Sequence, residues 1–289
     1  MWLILPKLYT LQMSLVMTAR FQQKTIIITG ASAGVGAACA RAFAAQKANL
    51  VLVARGQQGL DLIKQELSTQ TKVLTVAMDV SDTEQCLSLF AKAEQEFGSV
   101  DVLVNNAGMH SRGNLDTISP EDVGAMVDIN IRAPLVLSRA AIPYLRRAGG
   151  GAIVMLGSLA GMAPLQGAAT YSATKAGLRA FTYALADEMR GTGIYVGVVS
   201  PGPIDTGFIM DEIDKVEDIV FSQPMSTAGD VAEAVMRIAA GEKLEIPMPS
   251  ASGKLVTLSY LFPWLRRYLR PKLYAKGRKN KDKYRNRQR

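Results

Sequence analysis

The chain has 289 residues and a formal net charge of +8, a length that suits one large domain with a sizeable core. With 48% hydrophobic and 20% charged residues, its composition is that of a folded chain, not a disordered one. It holds one histidine, His110, and two cysteines, Cys39 and Cys86. That scarcity argues against a zinc cluster, a disulfide framework and Ser-His-Asp chemistry, so no metal site is expected.

Residues 1–19 are apolar, but Lys7 leaves only the twelve uncharged residues from Leu8 to Ala19. A spanning helix needs about 20, and no signal-cleavage pattern is clear. Residues 1–20 therefore read as an extension outside the fold, with residues 1–16 an addition or an upstream start. A short interfacial anchor is the alternative.

Beyond it the chain alternates short aliphatic runs with longer amphipathic stretches. Strands are predicted at 24–29, 49–54, 72–78, 100–105, 151–157 and 194–199. Their near-continuous apolar character marks parallel strands covered on both faces. Helices are predicted at about 35–47, 57–70, 82–97, 119–147 and 166–190. The fourth opens with Ser119 as N-cap, Pro120 at the first helical position and Glu121 and Asp122 in the first turn. Such alternation implies right-handed crossovers and an α/β, doubly wound parallel sheet. One domain is expected over 21–250, followed by a tail over 251–289.

The first strand runs into Thr29-Gly30-Ala31-Ser32-Ala33-Gly34-Val35-Gly36 and then a helix. A glycine turn there lets backbone approach a pyrophosphate at a helix N-terminus. The spacing is G-x-x-x-G-x-G, not the commoner G-x-G-x-x-G, and no P-loop lysine follows. Glycines in a turn are often only a turn; this one's position after the first strand argues for a dinucleotide. The second strand ends at Ala54-Arg55. A carboxylate at that place would bind a ribose 2′-hydroxyl, whereas an arginine suits a 2′-phosphate. The expected cofactor is NADP(H); the alternative for Arg55 is a surface charge.

Tyr171 and Lys175 stand at i and i+4 of a predicted helix and so share a face. A phenol ordinarily titrates near pH 10, and a neighbouring ammonium lowers that value toward working pH. Ser158 follows the fifth strand, at a strand C-terminal end where ligands meet such sheets. Its hydroxyl suits polarising a carbonyl or holding an alkoxide.

Taken in order, the motifs are Thr29-Gly30-x-x-x-Gly34-x-Gly36, Asp79-Val80, Asn105-Asn106-Ala107-Gly108, Asn130, Ser158, Tyr171-Ser-Ala-Thr-Lys175 and Pro201-Gly202. This series resembles the short-chain dehydrogenase/reductase family, in its compact single-domain branch, over about residues 22–245. The resemblance implies a Rossmann fold with strand order 3-2-1-4-5-6 and a seventh strand. It implies that Ser158 orients substrate, Tyr171 donates the proton, Lys175 tunes Tyr171 while binding the nicotinamide ribose, and Asn130 completes a water relay. It further implies that Gly30, Ser32, Gly34, Val35 and Gly36 cradle the cofactor, with Asp79 and Val80 at the adenine. Asn106, Ala107 and Gly108 would line its crevice, and Pro201, Gly202 and Thr206 would cover the nicotinamide side. A dimer or tetramer through the long helices is expected. His110 reads as a loop residue with a lesser claim on substrate, and Arg112 as a weak candidate for an anionic group. Cys39 and Cys86 read as core.

The connection from Ile204 to Ser226 is long and apolar, in a place where a lid is common. Its apolar residues, with Met109, Met162 and Leu165, argue for a lipophilic carbonyl or alcohol substrate; packing within the lid is the other reading. Residues 255–270 place Leu255, Leu258, Phe262, Leu265 and Leu269 near one helical face, which Pro263 must break or kink. Residues 266–289 then carry twelve Lys or Arg and one acid, Asp282, while the rest of the chain is net −3. Apolar and aromatic residues followed by dense cations match an interfacial anchor on anionic lipid. Nucleic-acid binding, with Tyr268, Tyr274 and Tyr284 stacking on bases, is the competing reading. The chain therefore reads as an NADPH-dependent carbonyl reductase, cytoplasmic with peripheral membrane association. A non-catalytic NADP(H)-binding scaffold or regulator is the alternative from another class, and sugar-nucleotide epimerisation a third.

Overall fold

The computed structural model describes residues 20–288. The readings of residues 1–16 and of the apolar run to Ala19 lie outside the described residues. Seven parallel strands form one sheet: β1 (Thr25–Thr29), β2 (Asn49–Ala54), β3 (Val73–Ala77), β4 (Val102–Asn105), β5 (Gly151–Leu156), β6 (Ile194–Pro201) and β7 (Glu245–Met248). Their order is 3-2-1-4-5-6-7, as the resemblance implied. Helices α1 (Gly34–Ala45), α2 (Gln57–Leu67), α3 (Thr83–Phe97), α4 (Pro120–Val127), α5 (Ala133–Arg147) and α6 (Ala169–Glu188) follow the strands in turn.

The strand pleat sorts the core into two layers. Ile26 and Ile28 point to one face, packing with Phe43 of α1, Leu60 of α2 and Val235 of α8 (Ala228–Ala239). Ile27 points to the other, packing with Phe90 of α3, Leu137 of α5 and Leu178 of α6. Both faces of the strands are thus apolar, which is why they lack hydrophilic alternation. Each fully buried side chain such as Phe90 or Leu52 contributes roughly 1.5–3 kcal/mol. Cys39 and Cys86 are free, buried thiols that burial pushes up to about 12 and about 11.

The expected N-cap at Ser119 forms, its hydroxyl accepting from the Asp122 N–H at 3.1 Å. The predicted helix over 119–147 is interrupted by a π-helical turn at Asp128–Arg132 between α4 and α5. The extra residue in that turn re-aims Asn130, which is completely buried.

After β6 the lid holds the short helix α7 (Gly207–Met210) and two 3-10 turns, Ile213–Lys215 and Asp218–Ser222. The apolar residues of this connection divide into two groups. Ile213, Val216 and Phe221 form a small core of its own, whereas Phe208, Ile219 and Val220 line the main cavity. The tail forms two helices, α9 (Ser250–Leu261) and α10 (Pro263–Gln288), separated at Phe262 and Pro263 as expected. It does not stand apart from the body: α10 lies along the lid, where Tyr274 donates to Glu217 at 3.0 Å and Asn280 to the Phe221 carbonyl at 2.9 Å.

Candidate active site

The C-terminal ends of β1, β4, β5 and β6 open on a cavity of about 740 Å³. Gly30, Ala33, Gly34 and Val35 form part of one wall; Ser158, Tyr171 and Lys175 lie in the same cavity. The glycines are required by geometry. Gly30 has φ +65°, and a Cβ on Gly36 would fall 2.1 Å from the Gly30 carbonyl oxygen. Among the described residues no side chain caps the N-terminus of α1, as is also true of α2, α5 and α6, whereas α3 and α4 are capped by Asp82 and Ser119. An uncapped helix start facing a close-approach turn fits a phosphate group.

Asn106 lines the cavity, but its side chain donates to the carbonyls of Thr29 (2.8 Å) and Gly30 (3.1 Å). It therefore fixes the glycine turn on the end of β4. Ala107 and Gly108 line the cavity beside it, as do Pro201, Gly202 and Thr206 from the far side. The Thr206 side chain sits against the glycine turn, 3.7 Å from where a Cβ on Gly34 would be. Ser32, Gly36, Arg55, Asp79 and Val80 are not in the cavity wall. Arg55 is exposed just past β2. Asp79 follows β3 and accepts the Ser81 N–H at 2.8 Å.

On α6, Tyr171 and Lys175 project together, the Lys175 Nζ 5.7 Å from the phenol ring centre. That Nζ donates to the Leu156 carbonyl oxygen at 2.8 Å, at the end of β5. Burial pushes the ammonium down to about 8. The Tyr171 phenol lies above its ordinary value, because burial outweighs a hydrogen bond from Ser158 and the positive charge of Arg112. The expectation that the phenol is lowered within the protein alone is thus corrected: desolvation of the phenolate wins. Asn130 spends its side chain on the loop after β4. Its Oδ1 accepts the Met109 N–H and its Nδ2 donates to the Met109 carbonyl, both at 2.8 Å.

Two further groups share the cavity. His110 stacks on Tyr171, ring centres 4.2 Å apart and planes 13° apart. Burial, then the charges of Arg112 and Lys175, push it down to about 3, so it is neutral at physiological pH. Arg112 donates to His110 Nδ1 at 2.9 Å and to the Phe208 carbonyl at 2.6 Å, and lies 3.4 Å from the Glu212 carboxylate. It bridges the loop after β4 to the lid. Neither the stacking nor the bridge has a signature in local spacing. Of the predicted apolar residues, Leu165 lines the cavity, but Met109 and Met162 do not. The cavity also takes residues from α9 and α10, which sequence reasoning assigned to a separate tail.

The α6 helix is anchored to the sheet edge through Glu245 of β7. This carboxylate accepts from Arg179 at 2.7 Å, from Tyr183 at 2.7 Å and from Ser200 at 2.7 Å. Burial alone would raise it; these donors together hold it below the ordinary carboxylate value.

Residues 24–217 match the short chain dehydrogenase family, and the chain belongs to it. It is an oxidoreductase of that family. It is 35% identical over 215 residues to a ketoacyl reductase of Nostoc sp., covering 73% of this chain and 75% of that one. It is 33% identical over 268 residues to dehydrogenase/reductase SDR family member 7B of Bos taurus, covering 87% and 82%. The crystal structure of levodione reductase superposes with a TM-score of 0.75 at 24% identity, over 81% of this chain and 99% of that one, which shows the shared fold.

Proposed function

We propose that the protein is an NADPH-dependent reductase of a lipophilic ketone or aldehyde, running reversibly as an alcohol dehydrogenase. The observation that carries this is one cavity holding Ser158, Tyr171 and Lys175 beside an uncapped glycine turn. Bound there, the nicotinamide supplies a hydride and, when oxidised, a positive charge.

The substrate carbonyl lies between Ser158 and Tyr171. Ser158 donates a hydrogen bond to the carbonyl oxygen and holds the negative charge that develops there. Tyr171 then gives its proton to that oxygen. Lys175 places an ammonium beside the resulting phenolate, and with one of its three N–H donors on the Leu156 carbonyl the others would hold the ribose hydroxyls. Asn130 keeps the loop after β4 in place and opens a backbone path for a water relay to Lys175. Gly30, Ser32, Gly34, Val35 and Gly36 would hold the pyrophosphate side, Asp79 and Val80 the adenine, and Arg55 the 2′-phosphate; of these, Ser32, Gly36, Arg55, Asp79 and Val80 lie beyond the cavity wall. Asn106, Ala107 and Gly108 shape the crevice, and Pro201, Gly202 and Thr206 close the nicotinamide side. The apolar residues Leu165, Phe208, Ile219 and Val220 in the wall support a lipophilic substrate. The ketoacyl reductase of Nostoc sp. gives the same direction of chemistry.

Purified full-length protein should consume NADPH with long apolar ketones or acyl thioesters and leave short polar ketones untouched. Tight NADPH binding with no turnover on any of them would replace this reading with that of a non-catalytic scaffold.

The outer surface of the tail supports attachment to an anionic membrane. Leu261, Trp264 and Tyr268 are exposed by 65, 66 and 65%, beside Arg267 and Lys272, which are also exposed. No helix among the described residues is long and apolar enough to cross a membrane, so contact would be interfacial. Anionic liposomes should retain the protein, and Leu261→Glu with Trp264→Glu should release it. Equal retention would favour the nucleic-acid reading of the basic residues. Light scattering would measure the assembly expected of the family.

A further inference from the structure

On α10, Arg266, Leu269, Leu273 and Lys276 recur at helical spacing and therefore share a face. That face, together with Leu255 and Val256 of α9, forms a wall of the cavity that holds Tyr171. The helix is held there closely. A Cβ on Gly277 would fall 1.8 Å from the Asp218 carbonyl oxygen of the lid. Next to it Lys281 is buried, donating to the Val216 carbonyl at 2.6 Å and lying 3.4 Å from the Asp218 carboxylate. Arg278 pairs with Asp218 and Arg285 with Asp214. The acids of the lid thus neutralise the part of the basic tail that lies on them.

Arg266 and Lys276 are treated differently. Among the described residues neither side chain has an ion pair or a side-chain hydrogen bond, although both line the cavity. Asp211 is the only carboxylate in that wall among the described residues. The wall is therefore apolar along Leu255, Val256, Leu269 and Leu273, with two uncompensated cations beside it. Arg266 is half-buried and Lys276 exposed, so each is available to an anionic ligand at little desolvation cost.

We infer that α9 and α10 are part of the substrate site, and that the substrate is an amphiphile whose apolar chain lies on Leu255, Val256, Leu269 and Leu273 while an anionic group meets Arg266 and Lys276. The position of the carbonyl at Tyr171 rests on the reductase reading above; the binding of the chain and the anion does not. Each methylene added to a bound chain is expected to tighten binding about fourfold.

The test is displacement of a dansyl-labelled undecanoic acid from the full-length protein by dodecanoate, dodecanol and butyrate. Dodecanoate is expected to bind about tenfold more tightly than dodecanol, and butyrate far more weakly than either. In Arg266→Gln with Lys276→Gln the preference for the carboxylate should shrink to within about twofold, with dodecanol and NADPH affinities kept. Gly277→Val should force α10 off the lid, seen as faster tryptic cleavage of the tail, and abolish probe binding while NADPH still binds. Equal affinity of the wild type for dodecanoate and dodecanol overturns the inference. So does a carboxylate preference that survives the double substitution, or probe binding that survives release of α10. If the double substitution weakens NADPH and leaves the carboxylate preference intact, the two cations serve the cofactor and the inference fails. Because binding is read without turnover, a protein that binds these amphiphiles but reduces no carbonyl sinks the reductase reading alone.

Discussion

Two lysines of this protein are equally buried, each 5% exposed, and they do opposite things. Lys281 of α10 is surrounded by compensation: the carbonyls of Val216 and Asp214, the Asp218 carboxylate and the Phe221 ring. Among the described residues Lys175 of α6 has the Leu156 carbonyl and no carboxylate, and burial pushes it down to about 8. The first charge is fully used in holding the tail to the lid. The second is left under-compensated beside a phenol, in a cavity. A buried charge with all its partners is scaffolding; one kept short of partners is available to a ligand.

The largest effect that would sharpen this contrast is expected at Tyr171, the phenol beside Lys175. Tyr171→Phe should lower NADPH-dependent carbonyl reduction about a thousandfold while NADPH affinity, measured by fluorescence, stays within about twofold. Near-wild-type turnover would remove Tyr171 as proton donor.

Replacing each lysine by methionine should then give stability changes of opposite sign. Lys281→Met leaves the Asp218 carboxylate and two carbonyls short of a donor and should cost about 3 kcal/mol in urea denaturation. Lys175→Met removes a buried ammonium and should stabilise the free protein by about 1–3 kcal/mol at neutral pH, while reduction falls about a hundredfold. A loss of stability in both would break the comparison.

The pH dependence follows from the same cause. The Lys175 amine titrates near 8 when folded against an ordinary 10.5. Between those values the unfolded chain binds more protons, so its contribution becomes more favourable as pH rises from 8 toward 10.5. Below pH 8 the cost of burying the ammonium is fully present. The stability difference between Lys175→Met and wild type should therefore narrow from pH 8 to pH 10. A difference that stays constant over that range would show that the ammonium is not the source of the cost.

The smallest expected effect lies at the cofactor's far end. Arg55→Asp should reduce the preference for NADPH over NADH about tenfold, measured as the ratio of kcat/KM values. An unchanged ratio would remove Arg55 from cofactor selection.

Much of this molecule could be read before it was folded. The apolar strands, the glycine turn, the i, i+4 pair of Tyr171 and Lys175 and the cap at Ser119 are local features. Their spacing decides which side chains share a face or meet a helix start, whatever lies beyond. The π-turn at Asp128–Arg132, the stack of His110 on Tyr171 and the Arg112 bridge to Phe208 and Glu212 were not legible. Each depends on a packing register that no periodicity reports.

The tail divides the same way. Its basic and apolar composition is plain in the sequence, and so is the break at Pro263. Which of its charges are spent and which are free was decided by tertiary structure, because Lys281 finds the Val216 carbonyl 65 positions away while Arg266 and Lys276 meet the cavity instead. Coulombic and hydrogen-bonding energies depend on separation in space and on desolvation, and neither quantity is a function of distance along the chain.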